Sequence, residues 1–134
     1  MTVSELQARV DRGVTWLDEH HGGWWRVDLL DRGEDGGPID LDALSMSHNC
    51  YCVLGQLLGS YFRAEIALDE SVRCGFDTAT FSNADLGRMN RDDEYRAECE
   101  TGRDDEFTAL TALWTQVIER RRAAAGQARN RSRL

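Results

Sequence analysis

Apolar positions along the chain recur at helical spacing in three stretches and lose their period between them. In the first, Leu6, Val10, Val14 and Leu17 fall on one stripe with Trp16 beside it. Ser4-Glu5-Leu6-Gln7 before it reads as a capping box, and Gly22-Gly23 after it as a stop, which predicts a helix over about 4–21. In the second, Cys50, Val53, Leu54, Leu57, Leu58, Tyr61 and Phe62 follow Ser47, a residue suited to an N-cap, and predict a central helix. Gly55 and Gly59 lie one turn apart on another side of it. Glycine costs about 1 kcal/mol inside a helix relative to alanine, so the pair implies a neighbouring backbone packed close. In the third, Phe107, Leu110, Leu113, Trp114, Val117 and Ile118 predict a last helix that opens near Asp104 or Asp105, with Arg120, Arg121 and Arg122 at its negative end. A shorter helix is expected from Asp69 to Cys74, closed by Gly75.

Between these stretches the pattern changes. Residues 22–47 read as a long loop with apolar anchors at Trp24, Trp25, Val27, Leu29 and Leu30 and a glycine-rich turn from Arg32 to Pro38. Ile39, Leu41 and Ala43 alternate with Asp40 and Asp42, which leaves room for one short strand. Residues 77–106 hold ten acids against four arginines, and Phe81, Leu86, Met89 and Tyr95 keep no steady period. That region is expected to be a mobile acidic excursion with one weak helix. The fold class that follows is mainly α: a single-domain helical bundle of three to five helices over 1–125, with a long irregular loop, then a basic, disordered tail over 126–134.

Length and composition fit this reading. A chain of 134 residues, 41% hydrophobic and 30% charged, can bury a core without staples. No stretch approaches the ~20 apolar residues of a membrane span. Met1-Thr2-Val3-Ser4-Glu5 lacks a basic n-region and an apolar h-region, so a cytoplasmic protein with reduced thiols at Cys50, Cys52, Cys74 and Cys99 is expected. All sixteen basic residues are arginine, which suits a GC-rich genome. All 24 acids lie within 1–119 against ten arginines, leaving −14, while 120–134 carries six arginines and no acid. So acidic a body repels phosphates and argues against direct nucleic-acid binding.

Candidate chemistry is sparse. His48-Asn49-Cys50-Tyr51-Cys52 is the one cluster with metal-ligand types, and zinc held by His48, Cys50 and Cys52, with His20, His21, Cys74 or Cys99 completing a tetrahedron, is the alternative reading. A helical register would put Cys50 on the opposite side from His48 and Cys52, which favours thiols that act as small core hydrophobes. Asp31, Asp35, Gly36 and Asp42 match part of a calcium-loop template, but Gly33 at its third position points instead to an acidic turn. Adjacent Trp24 and Trp25 point oppositely in an extended chain, so one can cover the core while the other meets a partner, whereas an irregular turn would let both pack into the core. No nucleophile–base pair, phosphate-binding glycine loop or dinucleotide fingerprint is present, so no enzyme activity and no cofactor are assigned.

The order of Val14-Thr15-Trp16-Leu17-Asp18, Ile39-Asp40-Leu41-Asp42-Ala43-Leu44, Cys50-Tyr51-Cys52-Val53-Leu54-Gly55-Gln56, Gly75-Phe76 and Leu110-Thr111-Ala112-Leu113-Trp114 resembles a group of small proteins encoded by actinobacterial phages and prophages. The Cys-Val-Leu-Gly-Gln stretch is the most distinctive part. The resemblance implies a phage gene product acting in a bacterial cytoplasm and carries over no functional residues. The expectation is therefore a non-enzymatic module that binds an unidentified host or phage protein through Trp24 and Trp25. A second alternative is an acidic mimic of nucleic acid built on 77–106.

Overall fold

A computed structural model describes residues 2–78 and 81–132, the last six of them by backbone alone. The chain forms α1 (Val3–His20), α2 (Val53–Leu58), α3 (Leu68–Arg73), α4 (Asn83–Arg91) and α5 (Asp93–Ser132), with 3₁₀ turns at Gly33–Asp35 and Tyr61–Ala64. The fold is a small, all-α single domain. No strand occurs among the described residues: Leu41–Ala43 form a turn where the sequence leaves room for a strand.

Helix α1 opens two residues earlier than Ser4 suggests. The backbone N–H of Glu5 donates to Thr2 Oγ1 (3.2 Å) and that of Thr2 to Glu5 Oε2 (3.0 Å), which completes a capping box. Gln7, the expected partner of Ser4, donates instead to Asp11 one turn on (2.9 Å). Leu6, Val10 and Leu17 are buried as the stripe predicts, together with Gly13 and Arg9.

At the centre of the core α1 crosses the middle of α5, with the turn Cys74-Gly75-Phe76 set against both. A methyl group at Gly13 would overlap the Cys74 carbonyl oxygen and the Trp114 indole. Gly75 has φ +70°, a conformation open to glycine, and its carbonyl accepts from Trp114 Nε1 at 2.8 Å. Phe76 stacks on Trp114 (centroids 5.3 Å apart, 13° between planes), while Trp24 meets Trp114 and Trp16 meets Phe76 edge-on. Arg9, 9% exposed, ties three elements together. It donates to Val72 O (2.8 Å) and Asp77 O (2.6 Å) and pairs with Glu106 Oε1 (3.0 Å).

Three expectations are corrected. The central helix is only six residues long. Ser47–Tyr51 form a turn, and Cys52 caps α2, with its Sγ accepting from the Gly55 N–H (3.2 Å). Gly59, at φ +91°, ends α2, and Phe62, expected in the stripe, is 71% exposed. The acidic region is a helical hairpin. Ser82 and Asp85 form a capping box for α4, Asp92 Oδ1 accepts from the Tyr95 N–H (3.1 Å), and α5 starts at Asp93 rather than near Asp104. Finally, the backbone of α5 continues past Gly126 to Ser132, where a disordered tail was expected from 126 to 134. The side chains of 127–132 and all of 133–134 lie outside the described residues. With 40 residues α5 is about 60 Å long, so Arg120–Arg122 stand well inside it and act through side-chain bonds rather than at its negative end.

Alanine ordinarily stabilises a helix interior relative to glycine. Because of the Cys74 carbonyl and the Trp114 ring, Gly13→Ala is expected to reverse that sign and lower stability by about 1–3 kcal/mol. Urea denaturation followed by tryptophan fluorescence checks it; an unchanged or higher midpoint would contradict the packing described.

Candidate interaction surface

The long loop is ordered by polar groups that reach it from α2 and α5. Arg122 on α5 donates from Nε to Trp25 O (2.7 Å) and from Nη2 to Ile39 O (2.6 Å), joining two segments of the loop. Burial lowers its guanidinium below the ordinary value, an effect partly offset by Asp40. Gln56 on α2 holds Asp40 from both sides, accepting its N–H at Oε1 (2.7 Å) and donating Nε2 to its carbonyl (3.1 Å), and donates as well to Tyr51 O (3.0 Å). The Met46 N–H is bound by Thr111 Oγ1 on α5 (3.0 Å).

The turn 31–37 closes the C-terminal end of α2, whose last carbonyls have no partner within the helix. Gly37 N–H donates to Gln56 O (2.9 Å) and Arg32 Nη2 to Leu57 O (2.7 Å). Gly36, at φ +103°, lies so close to Leu57 that a methyl there would overlap its carbonyl. Two of the three acids that match the calcium template serve this turn: Asp31 Oδ1 accepts from the Gly33 N–H (2.9 Å) and Asp35 pairs with Arg63 (2.6 Å).

The fixed loop leaves a cleft of ≈440 Å³ lined by Val27, Pro38, Ile39, Asp40, Leu41, Asp42 and Arg122. Val27 is 58% exposed on its wall, and Leu30, three residues on, is 79% exposed. Asp40 and Asp42 are both exposed. The cleft thus offers an apolar wall beside two carboxylates, on a backbone already tied down.

The two tryptophans lie in a turn rather than in extended chain, and both pack on the core to different depths. Trp24 is 1% exposed, its indole N–H donating to Asp18 Oδ1 (3.0 Å), so it belongs to the core and cannot present a contact face, a correction to its assignment as a binding residue. Trp25 is half-buried against the core, and its carbonyl is one anchor of Arg122. Burial tends to raise the Asp18 carboxyl, but Arg121 (3.0 Å) and Trp24 outweigh it and hold the group below its usual value. Val27 and Leu30, which the apolar pattern of the loop marks as anchors, are instead exposed, while Leu29 between them packs against the core.

The zinc candidates are not brought together. His48 and Cys50 are exposed, while Cys52 is buried with Sγ turned to the α2 amides. His20 stacks on Trp16 (4.5 Å) at the end of α1. Among the described residues, no group of three or more His, Cys, Asp or Glu side chains is placed to hold a metal ion. Burial pushes the Cys52 thiol up to about 11, and burial with Glu70 beside it does the same for Cys74. No helix among the described residues is long and apolar enough to cross a membrane. Comparison with family models, curated proteins and solved structures finds no match to the chain.

Two outcomes test this geometry. Gln56→Met removes three hydrogen bonds from the loop and should cost about 1–3 kcal/mol in chemical denaturation, with faster amide exchange at 38–42. In a Cys50→Ser/Cys99→Ser background at pH 8, Cys52 and Cys74 should react with a disulfide reagent only at the rate of unfolding, since both thiols titrate far above that pH. Rapid labelling of either in the folded chain would contradict the burial described.

Proposed function

We propose that this chain is a phage-type cytoplasmic protein that works by binding a host or phage protein, using the cleft between 25–30 and 38–42. The observation that carries the reading is the exposure of Val27 and Leu30 on a loop that Arg122 and Gln56 hold in place. A surface ordered before it meets its partner loses little freedom on association, and exposed aliphatic groups beside a cleft supply the apolar centre that interfaces need. Asp40 and Asp42 complement a partner segment with a basic side chain next to its apolar anchor. The cytoplasmic placement and the phage origin rest on the amino-terminal composition, the arginine-only usage and the motif resemblance.

The acidic-mimic reading draws less support. Asp85 completes the α4 capping box by accepting the Ser82 N–H, Asp92 caps α5, and Glu106 pairs with Arg9, so part of that charge has a structural use.

The test is capture from host lysate by immobilised wild type and by Val27→Asp/Leu30→Asp. Both positions are solvent-facing, so the double variant should melt within a few degrees of wild type. A partner retained by wild type, lost with the double variant and weakened by Asp40→Asn/Asp42→Asn is the expected result. Equal retention by the folded double variant would remove this cleft as the binding surface.

A further inference from the structure

A second cavity, of ≈370 Å³, shares no lining residue with the first cleft and has a different chemistry. Two partly exposed aromatic side chains line it, Tyr61 from the second 3₁₀ turn and Phe107 from α5, backed by the buried ring of Phe76 from the turn after α3. Its charged groups are Asp77, Asp104 and Arg103, a net −1. Phe76 is held rigidly by its stack on Trp114 and its edge contact with Trp16. Tyr61 is fixed by its hydroxyl, which donates to Asp77 Oδ2 (3.1 Å) and lies 2.6 Å from Ser71 Oγ. The walls therefore stand in place before any ligand arrives.

We propose that this cavity binds a small organic cation, an ammonium carrying apolar groups, between the aromatic rings and the two carboxylates. Aromatic faces attract cations through their quadrupole, and the effect grows when the cation leaves water. Phe107 already draws one: the Arg103 guanidinium lies 5.6 Å from its ring centroid, within the range of that attraction. Arg103 is exposed and on a flexible stem, so it can swing outward as a ligand enters. Met46 and Cys52, both buried, underlie it with apolar side chains.

The probe is choline, titrated into the isotope-labelled full chain and followed by heteronuclear NMR. Two isosteres control for shape: neutral dimethylbutanol and anionic dimethylbutyrate. Choline should give saturable shifts at 46–52, 61, 76–77 and 103–107, with the neutral isostere about tenfold weaker and the anion weaker still. Asp104→Asn, at an exposed position that leaves the fold intact, should weaken choline several-fold, and Phe107→Leu should weaken it further. Val27→Asp in the other cleft should leave it unchanged. No saturable shift at these residues, equal binding of the alcohol, or tighter binding of the anion would each overturn the proposal.

Discussion

The Trp114 indole sits where four parts of the chain meet. Its N–H is given to Gly75, one face to Phe76, an edge contact to Trp24 and its outer ring to the flank of α1 at Gly13. An indole is costly to bury without a partner for its N–H, and the Gly75 carbonyl meets that need only because glycine takes a positive φ there. Gly13 in turn lets α1 approach until its backbone touches the Cys74–Gly75 turn. Neither glycine would do this alone. Together they set the distance between α1 and α5, and with it the position of Phe76, from which one cavity wall is made.

Away from that junction the fold relies on polar bonds to backbone. A six-residue helix is unstable by itself, since nucleation costs more than so few hydrogen bonds return. α2 persists because both ends are closed from outside: the Cys52 thiol accepts at the start, and Arg32, Gly37 and the αL residue Gly59 serve the end. The stretch Cys52-Val53-Leu54-Gly55-Gln56 then has a use at every position. Cys52 caps, Val53 and Leu54 fill the core, Gly55 admits the Asn49 carbonyl, and Gln56 fastens Asp40. That explains the stretch as architecture, whatever binds outside it.

The apolar stripes of α1 and of the second half of α5 could be read from spacing alone, because burial on one face of a helix leaves a period in sequence. Leu6, Val10, Leu17, Leu110, Leu113, Trp114 and Ile118 are all buried as that period predicts. The close backbone approach inferred from Gly55 and Gly59 is present too. What spacing missed was built from other forces. The α4–α5 hairpin is fastened by Tyr95, whose hydroxyl donates to Asp85 (2.8 Å) and whose ring lies 3.9 Å from the Arg88 guanidinium, so it leaves no apolar period. Asp85 draws the Tyr95 phenol upward, to about 12. The second stripe misled for the opposite reason: a run of apolar residues at spacings of three and four also fits a turn, a short helix and a 3₁₀ turn packed on one core. The surface at Val27 and the cavity at Phe107 were illegible because each depends on partners dozens of residues away.

The segregation of charge now has a physical account that sequence counting could not supply. Asp93 and Glu94 open α5 and Asp85 opens α4, where the positive helix end favours acids. Arg121 and Arg122 lie in the interior of α5, and both reach across the molecule, one to Asp18 and one to the loop carbonyls of Trp25 and Ile39. Arginine suits the second task better than lysine, because a planar fork can span two carbonyls that a point charge could not hold apart. An arginine at 122 thus supplies the geometry that ties Trp25 to Ile39 within the loop. The cleft at 38–42 and the basic start of the C-terminal region are consequently linked: the Arg122 guanidinium, bonded to Trp25 and Ile39, fixes the backbone that carries Asp40 and Asp42.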